Sequence, residues 1–172
     1  TRAVKTSTGM EPLFDEGALV ARTEARTPTS RWSDPEWLAV AAFQKSAYQM
    51  VETQPDIAHN GVIPYRPGRW AKAWGVTVEQ LTAALRGLET AHWVTIDEDF
   101  GELLLHRHIV DDGVYKQPNV LQSARRSLGE VSSERIRSVL ADVVKGVREA
   151  FADAMPEASR GVLDAMVGDL SK

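Results

Sequence analysis

The stretch Gly75-Val76-Thr77-Val78-Glu79-Gln80 constrains this chain most, because it ends one helix and begins another. Gly75 can take the left-handed conformation that closes a helix. Thr77 and Gln80, three apart, form a capping box. Val78, Leu81, Leu85 and Leu88 then recur at helical spacing, which predicts a helix over 78–91. Upstream, Pro67 suits a first helical position, with Trp70, Ala71 and Trp74 facing inward. Two helices joined by so tight a turn read as a helix-turn-helix.

The flanks extend that unit. Ser33 or Asp34 caps a helix expected over 35–52, with Trp37, Val40, Ala41, Tyr48 and Val51 on one face. Gly61 to Tyr65 is a short β piece, and Pro64 confines it to a sheet edge. Trp93 to Ile96 and Glu102 to His108 form a hairpin around a turn at 97–101. Helix, strand, helix, capped helix and hairpin in that order predict a winged helix-turn-helix over residues 31–110, in a mainly α fold with a small β-hairpin. Residues 1–30 read as an arm with one apolar patch (Leu13, Phe14, Leu19, Val20), and 111–172 as a helical C-terminal extension. In the extension, Ile136, Val139, Leu140, Val143, Val144, Val147 and Phe151 make one stripe along a helix expected over 133–155, capped by Ser132. A shorter helix precedes it from Gln117 to about Leu128, and another follows over 157–170. The stripe must be covered. Packing within the chain and a homodimer through 133–170 both satisfy it, and a dimer would also give bivalent binding.

Several ordered segments carry a family resemblance. They are Arg31-Trp32-Ser33-Asp34, His59-Asn60-Gly61-Val62-Ile63-Pro64, Arg69-Trp70-Ala71-Lys72, Trp93 to Asp99, and Val114 to Val120. Together they resemble winged helix-turn-helix proteins of actinobacteria and their phages, of the replication-initiation or replisome-organiser type. The resemblance spans about residues 31–126. It implies a DNA-binding protein of the bacterial cytoplasm acting in replication initiation or transcriptional control.

Charge complicates that implication. The chain carries 20 basic and 24 acidic residues, and 31–110 alone has 7 and 10, so phosphate affinity must come from a local patch. The second helix of the pair offers Arg86 as a guanine reader and Gln80 as an adenine reader, with the capping box competing for Gln80. Arg66, Arg69 and Lys72 gather around the first helix, and Arg107, Lys116, Arg125 and Arg126 follow the hairpin. The hairpin tip is acidic (Asp97, Glu98, Asp99, with Glu102 just after), which opposes insertion beside phosphates. The alternative is therefore a winged helix that docks on a protein component of replication or transcription through that acidic tip.

Other chemistry is not expected. There is no cysteine, which excludes disulfides and thiolate metal sites and suits a reducing compartment. His106 and His108 share a strand face with Glu102 in this reading, which leaves an enzyme or metal protein built on a two-histidine zinc site as the remotest alternative. No phosphate-binding glycine loop, metalloprotease motif or nucleophile elbow is present, so neither an enzyme nor a cofactor is expected. No apolar run reaches the length of a membrane span, and no signal-peptide pattern opens the chain. Of the five tryptophans, Trp37, Trp70, Trp74 and Trp93 are expected inside and only Trp32 exposed.

Overall fold

The computed structural model describes residues 24–172. The apolar patch expected in the N-terminal arm lies outside them. The chain is mainly helical around one three-stranded antiparallel sheet. In order, the elements are α1 (Pro35–Ala39), α2 (Ala42–Glu52), β1 (Val62–Pro64), α3 (Pro67–Trp74), α4 (Val78–Thr90), β2 (Val94–Asp97), β3 (Glu102–Leu105), α5 (His108–Asp111), α6 (Pro118–Arg126), α7 (Glu134–Ala150) and α8 (Glu157–Leu170). Short 3-10 turns fill 29–33, 114–116 and 127–130. Among the described residues, no helix is long and apolar enough to cross a membrane.

The local signals act as expected around α3 and α4. Gly75 takes φ 77° and its N–H returns to Ala71 O. Both capping-box bonds form: Gln80 N–H donates to Thr77 Oγ1 at 3.1 Å, and Thr77 N–H to Gln80 Oε1 at 3.0 Å. Val78, at the first helical position, is exposed, so Leu81, Leu85 and Leu88 carry the inward face without it.

Four expectations need correction. The helix expected over 35–52 is two helices, because Val40 is extended (ψ 135°) and its N–H turns back to Trp37 O. That bend sends Val40 into the core beside Trp37 and leaves Ala41 exposed. The helix expected over 133–155 stops at Ala150, and Ser133 rather than Ser132 caps it, accepting from Ile136 N–H. The helix begun at Pro118 ends at Arg126 and tightens into a 3-10 turn. Strand β3 ends at Leu105, so His108 opens α5 and does not share a strand face with His106.

The sheet has the order β1-β3-β2, with Ile63 opposite Leu103 and Leu103 opposite Ile96. Alternation along each strand separates two cores. Ile63, Leu103, Leu105, Val94 and Ile96 face one, where α2, α3 and α4 supply Tyr48, Trp70, Leu81, Leu85 and Leu88. Trp37, Tyr48 and Trp93 meet there edge to face, at centroid distances of 5.0–5.6 Å. Val62 and Leu104 face the other core, with Ile109, Leu121, Ile136, Leu140, Val144, Leu163 and Met166. The apolar stripe of α7 is thus covered inside the chain, by α8 and by the second face of the sheet. The boundary expected after residue 110 falls inside α5, and the two cores share strands β1 and β3.

Polar groups finish both the seam and the edges. Glu102 is buried and accepts the N–H groups of Ser132 (2.8 Å) and Ser133 (3.1 Å), the free donors at the start of α7. Ser133 Oγ donates to Asp97 at 2.6 Å. At the β2 edge, Ile96 N–H donates to Glu89 and Ile96 O accepts from Arg135, at 2.9 and 2.7 Å. At the β1 edge, Val62 N–H donates to Asn60 Oδ1 and Val62 O accepts from Ala58 N–H. A Cβ at Gly61 (φ 87°) would lie 2.8 Å from Leu105 O, so only glycine fits this entry to β1.

Candidate nucleic-acid interface

Helix α3 is short, starts on Pro67, and buries Trp70 and Ala71. Its outer side carries Arg69 and Lys72, one turn apart and therefore neighbours. Both are exposed, and neither has a carboxylate partner among the described residues. Arg66, just before the helix, is also exposed and among the described residues reaches only Asp56, at 3.5 Å. An exposed pair at that distance is weak. Arg66, Arg69 and Lys72 thus stay available to an incoming anion.

Helix α4 differs. Arg86 is clasped by Glu89 and Glu98, each at 2.6 Å. The hydrogen bond to Glu89 raises the Arg86 pKa further, so the guanidinium stays charged but paired. Burial pushes the Glu89 carboxyl upward, but hydrogen bonds from Ile96 N–H and Arg86 outweigh it and hold the pKa below the usual range. Gln80 uses its amide oxygen in the capping box. Glu79, Ala83 and Thr90 complete the exposed face. The two base readers expected on this helix are thus both engaged within the chain, Gln80 in the capping box expected to compete for it and Arg86 between two glutamates.

The remaining candidates scatter. Arg107 bridges Asp34 and Asp111 and lies over the Trp93 ring, 5.1 Å from its centroid. Burial opposes ionisation of Asp34, yet the Arg107 hydrogen bond keeps its pKa low. Arg125 donates to Asp169 at 2.6 Å and ties α6 to α8. Lys116 is exposed and sits over Tyr115 at 5.4 Å. Arg126 is exposed and has no ion pair among the described residues. Arg107 and Arg125 therefore act first as structural clasps.

Sequence reasoning also missed polar residues that build the frame. Arg31 is 1% exposed, grips Glu52 through two 2.9 Å bonds and donates to Asp111 at 2.7 Å. Its guanidinium also lies over Trp37 and Tyr48. It locks the segment before α1 to α2 and α5. Glu102 looked like a wing carboxylate in sequence and is instead the cap of α7. His106 bonds Thr95 Oγ1 at 2.7 Å, and burial lowers its pKa below 6.5. No group of three or more histidine and acidic residues among the described residues is placed to hold a metal ion.

No protein-family model, curated protein or solved structure matches the chain.

Proposed function

We propose that residues 31–110 are a winged helix-turn-helix and that the chain binds double-stranded DNA through phosphate contacts on α3, in replication initiation or transcriptional control. The fold part is supported by the element order through β3 and by β1 closing on the second strand of the hairpin. The observation that carries the binding part is the contrast in pairing. Among the described residues Arg69 and Lys72 are exposed and without acidic partners, whereas Arg86 on α4 is held by two glutamates. The resemblance to replisome-organiser-type proteins supports a DNA-directed role and leaves replication and transcription equally open. Phosphate contacts without a free base reader position a protein but specify little sequence. Low intrinsic specificity is therefore part of the proposal.

The test is a fluorescence-anisotropy titration of a labelled random duplex at several salt concentrations. Wild type is compared with the Arg66→Ala/Arg69→Ala/Lys72→Ala variant. Each phosphate contact contributes about 0.9 to the slope of log affinity against log salt, so the variant's slope is expected to flatten by about 2–3. A duplex affinity that the triple substitution leaves unchanged removes α3 as the interface. Absence of binding at low salt removes DNA binding altogether.

A further inference from the structure

One surface of the molecule fits neither DNA nor the internal packing. A cleft of about 290 Å³ lies where the hairpin turn, the free edge of β1 and the 127–131 turn meet. Val62, Pro64, Phe100 and Val131 give it apolar walls. Phe100 is 56% exposed, among the most exposed large apolar side chains of the described residues. Its position is fixed. Asp97 Oδ1 accepts the N–H groups of Asp99 and Phe100, Gly101 takes φ 63°, and Gly101 O accepts from Tyr65 N–H. The turn that presents Phe100 is therefore preorganised, which lowers the ordering cost of a contact made there.

The rim is acidic. Glu130 and Asp56 line the cleft, and Asp99 stands beside Phe100 on the turn. Neither Asp99 nor Glu130 has a basic partner among the described residues, while Asp56 meets Arg66 at the margin. Glu102, at the floor, is occupied by the start of α7. Such a rim repels phosphate and favours a cation whose stem is apolar. The edge of β1 cannot accept an added strand, because Pro64 lacks an N–H and both polar groups of Val62 are used. Recognition there must come from side chains.

We infer that this cleft is a docking site for a short basic and apolar peptide segment of a partner protein, an Arg or Lys stem lying on Phe100 and Pro64 with its charge toward Glu130 and Asp99. The site is independent of α3 and stands whether or not the chain binds DNA.

The probe is a fluorescein-labelled Gly-Arg-Leu-Arg-Leu-Arg-Gly heptapeptide, titrated with the full chain and read by anisotropy. Phe100→Ser and Glu130→Arg are both surface changes. Phe100→Ser is expected to weaken binding about tenfold, the scale of a central aromatic contact. Glu130→Arg is expected to weaken it about threefold to tenfold. Glu149→Arg, the same charge change at an exposed site on α7, is the control and leaves affinity near wild type. The inference is overturned if the peptide does not bind, if Glu149→Arg weakens binding as much as Glu130→Arg, or if Phe100→Ser has no effect. The three variants are also titrated with duplex DNA. Duplex binding that Phe100→Ser weakens would assign the surface to nucleic acid and equally overturn it.

Discussion

The two faces of the sheet are held in different ways. Toward α2, α3 and α4 the buried side-chain contact is apolar: Ile63, Leu103, Leu105, Val94 and Ile96 meet leucines and tryptophans, and a polar tie to α4, Glu89 on Ile96 N–H, sits at the β2 edge. Toward α6, α7 and α8 only Val62 and Leu104 are apolar, and the rest of the grip is polar, through Glu102, Asp97, Ser133 and Arg135. The first face is a hydrophobic core of the ordinary kind. The second is a dock, where strand carboxylates finish a helix that lies far along the chain. Apolar burial is non-directional, whereas hydrogen bonds to an open helix end fix one register. The polar groups therefore set where α7 sits, while apolar burial on both sides of the sheet supplies the stability.

Removing the second unit tests the contrast most severely. A chain ending at Asp111 uncovers Val62, Leu104 and Ile109 and leaves the Glu102 carboxylate without its two donors. Loss of a cooperative thermal transition, followed by circular dichroism, is the expected result. An unchanged midpoint would mean that the first unit stands alone. Leu104→Ala and Leu103→Ala, buried on opposite faces, should each cost about 2–5 kcal/mol in urea denaturation. A much smaller loss for Leu104 would show that the second face contributes only positioning. Glu102→Gln keeps the shape but replaces one acceptor oxygen, and a loss of about 1–2 kcal/mol is expected. Ser133→Ala should cost about 1 kcal/mol as the loss of a cap. The two losses should not add in the double variant, because the residues share one helix end.

Acidification is the mildest probe and acts on the polar face. Burial depresses the pKa of His106, so its contribution is full above the ordinary value of 6.5 and declines as pH falls toward the lowered one. Asp97 is held below its usual 3.8, first by the Ser133 hydroxyl, and Glu89 lies below 4.5 despite its burial. Their contributions persist above those values and are lost as pH falls through the depressed ones. Urea midpoints measured from pH 8 to 3 should decline in two stages. His106→Gln should flatten the first while leaving the second.

Much of the first unit was legible because its signals are local. Gly75, Thr77 and Gln80 act within one turn of chain, and the leucines of α4 repeat at one period. The break at Val40 was not legible, since neither glycine nor proline marks it and burial of Val40 itself favours the bend. Leu103-Leu104-Leu105 carries a further signal in the sequence. A continuous apolar run belongs to a strand covered on both sides, and it pointed to the second core. The candidate interface fared worse. Basic residues can be counted in sequence, but whether Arg86 or Arg107 is free depends on Glu89, Glu98, Asp34 and Asp111. Those pairings exist only once the chain has folded.

The bonds at the two sheet margins have a consequence for behaviour at high concentration. An open strand edge is a template on which another chain can continue the ladder, the first step toward fibrils. Here Glu89 and Arg135 occupy the outward groups of Ile96 on one side, and Asn60, Ala58 and Pro64 close the other. The continuous apolar run of the sheet, the three leucines of β3, lies between those guarded margins. Conditions that loosen Arg135 or Glu89, high salt and low pH, are therefore the ones under which this chain would begin to aggregate through its sheet.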